Sequence, residues 1–86
     1  LRPGDPGVRY QLALVEVAVG ELDAARLRLE ALVAEHPKFS EAHVSLATVY
    51  YRQQRRADGD RHQAIVRELA REKAEREKQA AEREKP

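Results

Sequence analysis

The stretch Pro37–Tyr51, which reads PKFSEAHVSLATVYY, carries the pattern that organises the rest of the chain. When it is moved back so that Pro37 lies on Pro3, it matches a similar stretch near the N-terminus. The further matching pairs are Leu46 with Leu12, Ala47 with Ala13 and Val49 with Val15, followed downstream by Gly59 with Ala25 and Val66 with Leu32. We call this constant spacing, from Pro3 to Pro37, the repeat period. A self-match at a fixed period of this size is typical of repeat proteins, so the sequence predicts an array of similar units.

The composition narrows the class of protein. The chain has 86 residues and contains no Cys, Met or Trp, so it has no disulfide, no thiol nucleophile and no zinc site built from Cys. Its apolar runs are all shorter than the ~18 residues that cross a bilayer, and we expect no membrane contact. The absence of Cys fits both a cytoplasmic protein and an exported bacterial one. We favour the cytoplasm slightly, with an upstream export signal as the alternative.

The net charge of +1 is unevenly distributed. Residues 1–51 hold five Lys and Arg against seven Asp and Glu, residues 52–67 hold five Arg against two Asp, and residues 68–86 hold six of each sign. Nucleic-acid binders usually show a clear basic excess, so we expect no nucleic-acid binding. The Arg-rich segment 52–61 is either a site for acidic partners or an exposed turn, and its two Asp residues favour the turn.

Turn signals divide the first half of the chain into two helices. Asp5 is a good cap and Pro6 a good first residue for a helix. Apolar residues at 8, 12, 15 and 19 follow at helical spacing and form an apolar stripe, which residues 14, 17 and 18 widen. Gly20 then ends the helix. The second helix, 21–35, ends before Pro37, and its apolar face contains Leu22, Ala25, Leu29, Leu32 and Val33.

The second half repeats this arrangement with a longer last helix. Ser40 is predicted to cap the third helix, whose buried face contains Ala42, Leu46, Ala47, Val49 and Tyr50. A turn at 53–57 precedes a fourth helix that begins near Asp58, where Gly59 indicates close contact between helices. The last core candidates are Ile65, Val66, Leu69 and Ala70.

Residues 71–85 differ from the rest, since opposite charges recur four residues apart. The pairs are Arg71 with Glu75, Glu72 with Arg76, Lys73 with Glu77 and Lys78 with Glu82. Such pairs stabilise helices by about 0.2–0.5 kcal/mol each, so we expect a solvated helix that frays toward Pro86. A dimerising coiled coil is the alternative, although Ala residues make a thin apolar seam.

These residues and their spacing resemble the tetratricopeptide repeat (TPR), a helix-turn-helix unit of about 34 residues. The first unit, residues 6–39, matches the pattern at Leu12, Ala13, Gly20, Ala25, Leu29, Leu32 and Pro37. The second unit, from residue 40 onward, matches it at Leu46, Ala47, Tyr50 and Gly59, with Tyr51 following. Three positions depart from the pattern: Glu16 at the Tyr position, Gln54 at the Gly position and Arg71 at the closing Pro position.

The resemblance implies an all-α fold of antiparallel helix-turn-helix repeats, a TPR-like α-solenoid, with a long charged C-terminal helix. Residues 1–5 would end a preceding repeat or form a linker, with Pro3 closing a preceding helix pair. Residues 6–39 and 40–70 would be two repeats, the second including the capping helix, and residues 71–86 a charged helical extension. The absence of an initiator Met fits a fragment from the C-terminal end of a longer TPR protein.

The resemblance also implies a function. In such solenoids the first helices of the pairs line a concave groove that binds a peptide or a partner helix. Carried over position by position, the partner-binding residues are Tyr10, Gln11, Leu14, Val17, Val44, Ser45, Thr48, Tyr51 and Arg52. The family's best-known clamp holds a chaperone's C-terminal carboxylate through Lys, Asn and Arg, and Arg52 is the one cation at these positions. We therefore expect a protein–protein interaction scaffold with a different partner.

A structural self-association module, such as a homodimer, is the alternative function. Solenoids generally need about three repeats for stability, and the chain contains two. Apolar residues such as Leu14 and Val44 would then be covered by a second copy, or by a neighbouring repeat.

Catalytic and metal sites are not expected. His36, His43 and His62 are not at the i, i+4 spacing that places two ligands on one helix face. His43, Ser45 and Thr48 have no evident acid to orient a nucleophile–base pair. We therefore predict no enzyme activity, no cofactor and no metal.

Overall fold

The computed structural model describes Arg2 and residues 4–84, which form four α-helices. They are α1 (Pro6–Ala18), α2 (Leu22–Glu35), α3 (Ser40–Arg52) and α4 (Arg56–Arg83). The described residues contain no strand, so the all-α prediction is confirmed. The predictions for Pro3 and Pro86 lie outside the described residues. Among the described residues, no α-helix combines the length and the apolar composition of a membrane span.

Three helix boundaries of the first half recur in the second half at the repeat period. Pro6 and Ser40 each begin a helix, and Ala18 and Arg52 each end one. The starts of α2 at Leu22 and of α4 at Arg56 are related in the same way. Asp5 caps α1 as predicted, since its Oδ1 accepts the N–H of Gly7 at 2.8 Å.

One predicted cap is wrong, and one predicted helix start is shifted by two residues. Ser40 is the first residue of α3 and Phe39 is its N-cap, with no side-chain cap bond. The reason is that Ser40 occupies the position of Pro6, inside the first turn, one residue after the cap. The fourth helix begins at Arg56, two residues before Asp58. Gly59 therefore lies further into the first turn than expected.

The two turns inside the helix pairs have the same backbone. Gly20 has φ 84°, and Gln54, its equivalent in the second unit, has φ 64°. The N–H groups of Gly20 and Gln54 each donate at 3.1 Å to the carbonyl three residues earlier. The N–H groups of Glu21 and Arg55 each donate at 2.8 Å to the carbonyl five residues earlier. Only Gly adopts such positive φ values without steric cost, so Gln54 strains the second turn.

The core lies around α3, which packs against the other three helices. Its buried residues are Ala13, Ala25, Leu29, Leu32, Ala42, Leu46, Val49 and Tyr50. The predicted buried face of α3 is confirmed, and in α2 the predicted Ala25, Leu29 and Leu32 are fully buried. Burying a side chain such as Leu stabilises the fold by about 1.5–3 kcal/mol, so this cluster accounts for much of the folding free energy.

The predicted apolar stripe of α1 lies mostly in solvent. Leu12, Val15 and Val19 are 45%, 59% and 66% exposed. The α1 residues that meet the core are Ala13, which is fully buried, and Tyr10 and Val17, which pack against the cluster. The reason is topological, because α1 packs against α2 and, less extensively, against α3, and no described helix covers the stripe.

The predicted core of α4 is also less buried than expected. Gly59 and His62 are its buried residues, whereas Ile65, Val66 and Leu69 are half-buried and Ala70 is exposed. Among the described helices α4 packs against α3 alone, so one side of its apolar face stays open. Beyond this segment α4 continues without a break as an exposed helix to Arg83.

The charged extension forms a different ion pair from those predicted. Arg71 pairs with Glu68, one turn before it, rather than with Glu75. The guanidinium of Arg71 lowers the pKa of the Glu68 carboxyl by donating hydrogen bonds to it. The pair is exposed, so it contributes little to stability.

Two bidentate ion pairs join α1 to α2. Arg9 donates to both carboxylate oxygens of Glu35 at 3.2 and 2.6 Å, and Arg28 donates to both of Glu16 at 2.8 and 3.3 Å. The hydrogen bonds from Arg9 lower the pKa of Glu35. The Arg28 pair gives a reason for Glu16 at the repeat position where α3 has Tyr50, since this carboxylate bonds to the facing helix.

The strained turn makes Gln54→Gly a stabilising substitution. Removing the side chain at φ 64° relieves about 1 kcal/mol of steric strain, and the melting temperature should rise by roughly 4–8 °C. The converse substitution Gly20→Gln should lower it by a similar amount. Thermal unfolding followed by circular dichroism tests both, and an unchanged or lower melting temperature for Gln54→Gly contradicts the strained turn.

Candidate functional site

The nine predicted partner-binding residues lie on α1 and α3, which we call the α1–α3 face. Two contacts connect the helices along this face. Ser45 Oγ donates to the Tyr10 hydroxyl at 3.5 Å, and Arg52 Nη1 donates to the carbonyl of Val17 at 3.4 Å. Both bonds are long, so they align the two helices without holding either polar side chain firmly.

The members of this face differ in how free they are to meet a partner. Gln11, Val44, Thr48 and Arg52 are exposed, whereas Tyr10, Leu14, Val17, Ser45 and Tyr51 are half-buried. The Tyr10 ring lies 5.3 Å from that of Phe39, tilted by 46°. The face therefore combines half-buried, largely apolar side chains with exposed side chains, most of which are polar.

Tyr51 is committed to a contact inside the chain. Its hydroxyl donates to Asp60 Oδ1 at 2.5 Å, and this hydrogen bond raises the pKa of Tyr51. Its ring covers Gly59, where a Cβ atom would lie 2.7 Å from Tyr51 Cε1. The close helix contact predicted at Gly59 is confirmed, and the residue that fills the space is Tyr51.

A second surface, the α3–α4 groove, runs beside the first. It encloses about 310 Å³ and is lined by Val44, Ala47, Thr48, Gln63, Val66 and Arg67. Two of these residues, Val44 and Thr48, were predicted to bind a partner, and the others were not. The signal that would have found them is the repeat period, which relates the α4 members to Leu29, Leu32 and Val33 on α2.

A wider hollow of about 540 Å³ lies at the turn between α2 and α3. It is lined by Pro6, Glu35, His36, Pro37, Lys38 and Phe39. None of the nine predicted residues lines it, and its carboxylate, Glu35, is already bonded to Arg9. We therefore take the helical surfaces, rather than this turn, as the candidate site.

A buried histidine pair lies between α3 and α4. His43 and His62 are 3% and 7% exposed, and their Nδ1 atoms are 2.9 Å apart. His43 Nε2 lies 2.7 Å from the carbonyl of Pro37, which only accepts, so His43 carries its proton on Nε2. His43 Nδ1 is then an acceptor and His62 Nδ1 the donor, which fixes both tautomers.

The hydroxyl and imidazole groups of this region are engaged with one another or with the backbone. Ser45 donates to Tyr10, Thr48 donates to the carbonyl of Val44 at 3.2 Å, and both ring nitrogens of His43 are bonded. No group of three or more His, Cys, Asp or Glu that could hold a metal occurs among the described residues.

The contact between Tyr51 and Gly59 predicts a dependence between two substitutions. In the natural chain, Gly59→Ala should bring little or no gain, because the new methyl group displaces the Tyr51 ring. In a Tyr51→Ala background the same change should stabilise by up to about 1 kcal/mol, the helix preference of Ala over Gly. Urea unfolding of the natural chain, the two single variants and the double variant measures the coupling free energy between the two positions. Equal effects in both backgrounds contradict the contact.

The histidine pair predicts a loss of stability in mild acid. Burial, the neighbouring His43 and Arg61 lower the pKa of His62, so the unfolded chain takes up this proton more readily than the folded one. The free energy of unfolding should be constant at higher pH and fall as the pH drops below about 6.5, the value for an unperturbed His.

Urea unfolding between pH 8 and pH 5 measures this slope. The substitution His62→Phe should flatten it, even if it lowers stability throughout, and His36→Gln, on the exposed turn, should leave it unchanged. Carboxylates titrate mostly below this range. A slope that persists in His62→Phe assigns the effect to other groups.

The chain has no significant match to a protein-family model, to a characterised protein or to a solved structure. The interpretation of the two surfaces therefore rests on their geometry and on the internal repetition.

Proposed function

We propose that this chain is a protein-binding module of TPR-type helix pairs, whose α1–α3 face holds a peptide or a partner helix. The observation that carries the proposal is the recurrence of helix boundaries at the repeat period. The matching backbones at Gly20 and Gln54 support it further. A sequence that repeats its helices, turns and hydrogen bonds in this way favours a repeat architecture over an unrelated four-helix arrangement.

The chemistry of the face favours an amphipathic partner. Val44 is 50% exposed and Leu14 of the facing helix is half-buried, so both helices offer apolar area. Arg52 is exposed, and its contact with the described residues is one long bond to a backbone carbonyl, which leaves its charge open to a carboxylate. The partner that fits is a helix or peptide with apolar side chains flanked by Asp or Glu.

Binding can be tested with a displayed library of amphipathic helical peptides that carry Leu on one face and Asp or Glu beside it. Peptides selected on the natural chain should lose at least about tenfold in affinity, or about 1.4 kcal/mol, on Arg52→Glu and on Leu14→Ala. Fluorescence anisotropy with a labelled selected peptide measures the loss.

Two substitutions outside the face serve as matched controls. Arg76→Glu reverses an exposed charge on the distal part of α4, and Leu27→Ala removes a side chain that is 60% exposed on α2. Neither should change the affinity. Selected peptides that bind all four variants equally well, or a selection that yields no binder, would argue against the α1–α3 face as a binding site.

A further inference from the structure

The open stripe of α1 is equivalent to a face that α3 buries. Leu12 is 45% exposed, whereas Leu46, its equivalent in the second unit, is fully buried. Val15 is 59% exposed, whereas its equivalent Val49 is fully buried. On α3 this face packs in one cluster with Leu29 and Leu32 of α2. The same face of α1 has the side chains for such a contact, and no helix in the described chain supplies the other half.

The α3–α4 groove is equivalent to the surface on which α3 lies. Ala13 of α1 and Leu32 of α2 are fully buried and belong to the same core cluster as Leu46 and Val49 of α3. Their equivalents Ala47 and Val66 line the open groove, where Ala47 is buried at the base and Val66 is half-buried. The groove therefore occupies, on the α3–α4 pair, the position at which the α1–α2 pair packs against α3.

We propose that two copies of this chain associate head to tail, with the α1 stripe of one copy in the α3–α4 groove of the next. The contact repeats between copies the one that α3 makes with α1 and α2 inside a copy. The proposal rests on the same internal repetition as the proposed function, but it uses the opposite side of α1 from the α1–α3 face. Val44 and Thr48 belong to both surfaces.

The charges of the two ends favour this arrangement over a symmetric pair. Residues 5–21, which contain α1 and its flanking turns, hold Asp5, Glu16 and Glu21 against Arg9, whereas the charged side chain that lines the groove is Arg67. A head-to-tail contact brings unlike charges together, while pairing of two α1 stripes brings like charges together. The association should therefore weaken as salt is added.

The α3–α4 groove is more polar than the equivalent surface of α1 and α2. This difference limits the strength of the contact between copies. Gln63 and Arg67 stand where α2 has Leu29 and Val33. Less apolar area is buried, so the association should be weak and reversible compared with the internal packing. The interface is also heterologous, which leaves a free stripe and a free groove at the two ends of every oligomer. Mass should thus increase with concentration without stopping at the dimer.

Sedimentation equilibrium of the chain and of two single variants tests the proposal. Val15→Glu places a charge on the stripe, and Val66→Glu places one in the groove. Each variant alone should be monomeric at concentrations where the natural chain associates, because burying an unpaired charge is costly. An equimolar mixture should form a dimer, since the intact groove of one variant receives the intact stripe of the other.

The outcomes separate the possible arrangements. A natural chain that stays monomeric up to about 1 mM, the range of weak contacts, overturns the proposal. Loss of association in Val15→Glu but not in Val66→Glu indicates symmetric pairing of stripes and also overturns it. Variants that fail to recombine in the mixture overturn the head-to-tail geometry.

Two further variants guard against unfolding and against confusion with peptide binding. Val66 is half-buried, so Val44→Glu, at a side chain that is 50% exposed, repeats the groove test with less risk to the fold. Arg52→Glu, which tests the α1–α3 face, should still associate. We expect Val15→Glu to lose association and keep peptide binding, and Arg52→Glu to lose peptide binding and keep association. Because each variant affects one activity only, failure of one proposal can be told from failure of the other.

Discussion

The burial of α3 is the contact that holds this structure together. Leu46 and Val49 share one fully buried cluster with Leu29 and Leu32 of α2, and α3 is the helix that packs against all three others. The described residues form two helix pairs, which gives one such complete contact. A small domain buries a modest fraction of its surface, so this cluster decides whether the chain folds and both helix pairs depend on it.

Polar and steric contacts help to fix the position of α4 on α3. The buried bond between His43 and His62 and the ring of Tyr51 over Gly59 both join α3 to the first two turns of α4. On the α2 side, the Tyr50 hydroxyl donates to Glu30 at 2.5 Å. Burial, together with this bond, raises the pKa of Tyr50 to about 12, so the hydroxyl keeps its proton. One side of the apolar face of α4 stays open, because no described helix other than α3 packs against it.

Much of the fold followed from local signals, and the candidate site followed less completely. The cap at Asp5, the turn at Gly20 and the stop before Pro37 placed the first two helices within a residue, because each acts on its own backbone. The nine partner-binding residues stay predictions, although the structure puts all of them on α1 and α3. Gln63 and Arg67 were missed, since a groove between two helices has no signal in either helix alone and only the repeat period relates these residues to α2.

Capping, turn and periodicity signals are local, so the amino-acid order alone was enough to predict a helical chain, most of its helix boundaries and its repeat period. Helix packing decided which of the apolar faces are buried. Leu12 and Leu46 occupy equivalent positions, yet one is 45% exposed and the other fully buried. The difference lies in whether a helix pair precedes each of them in the described chain, because burial depends on that neighbour rather than on the residue.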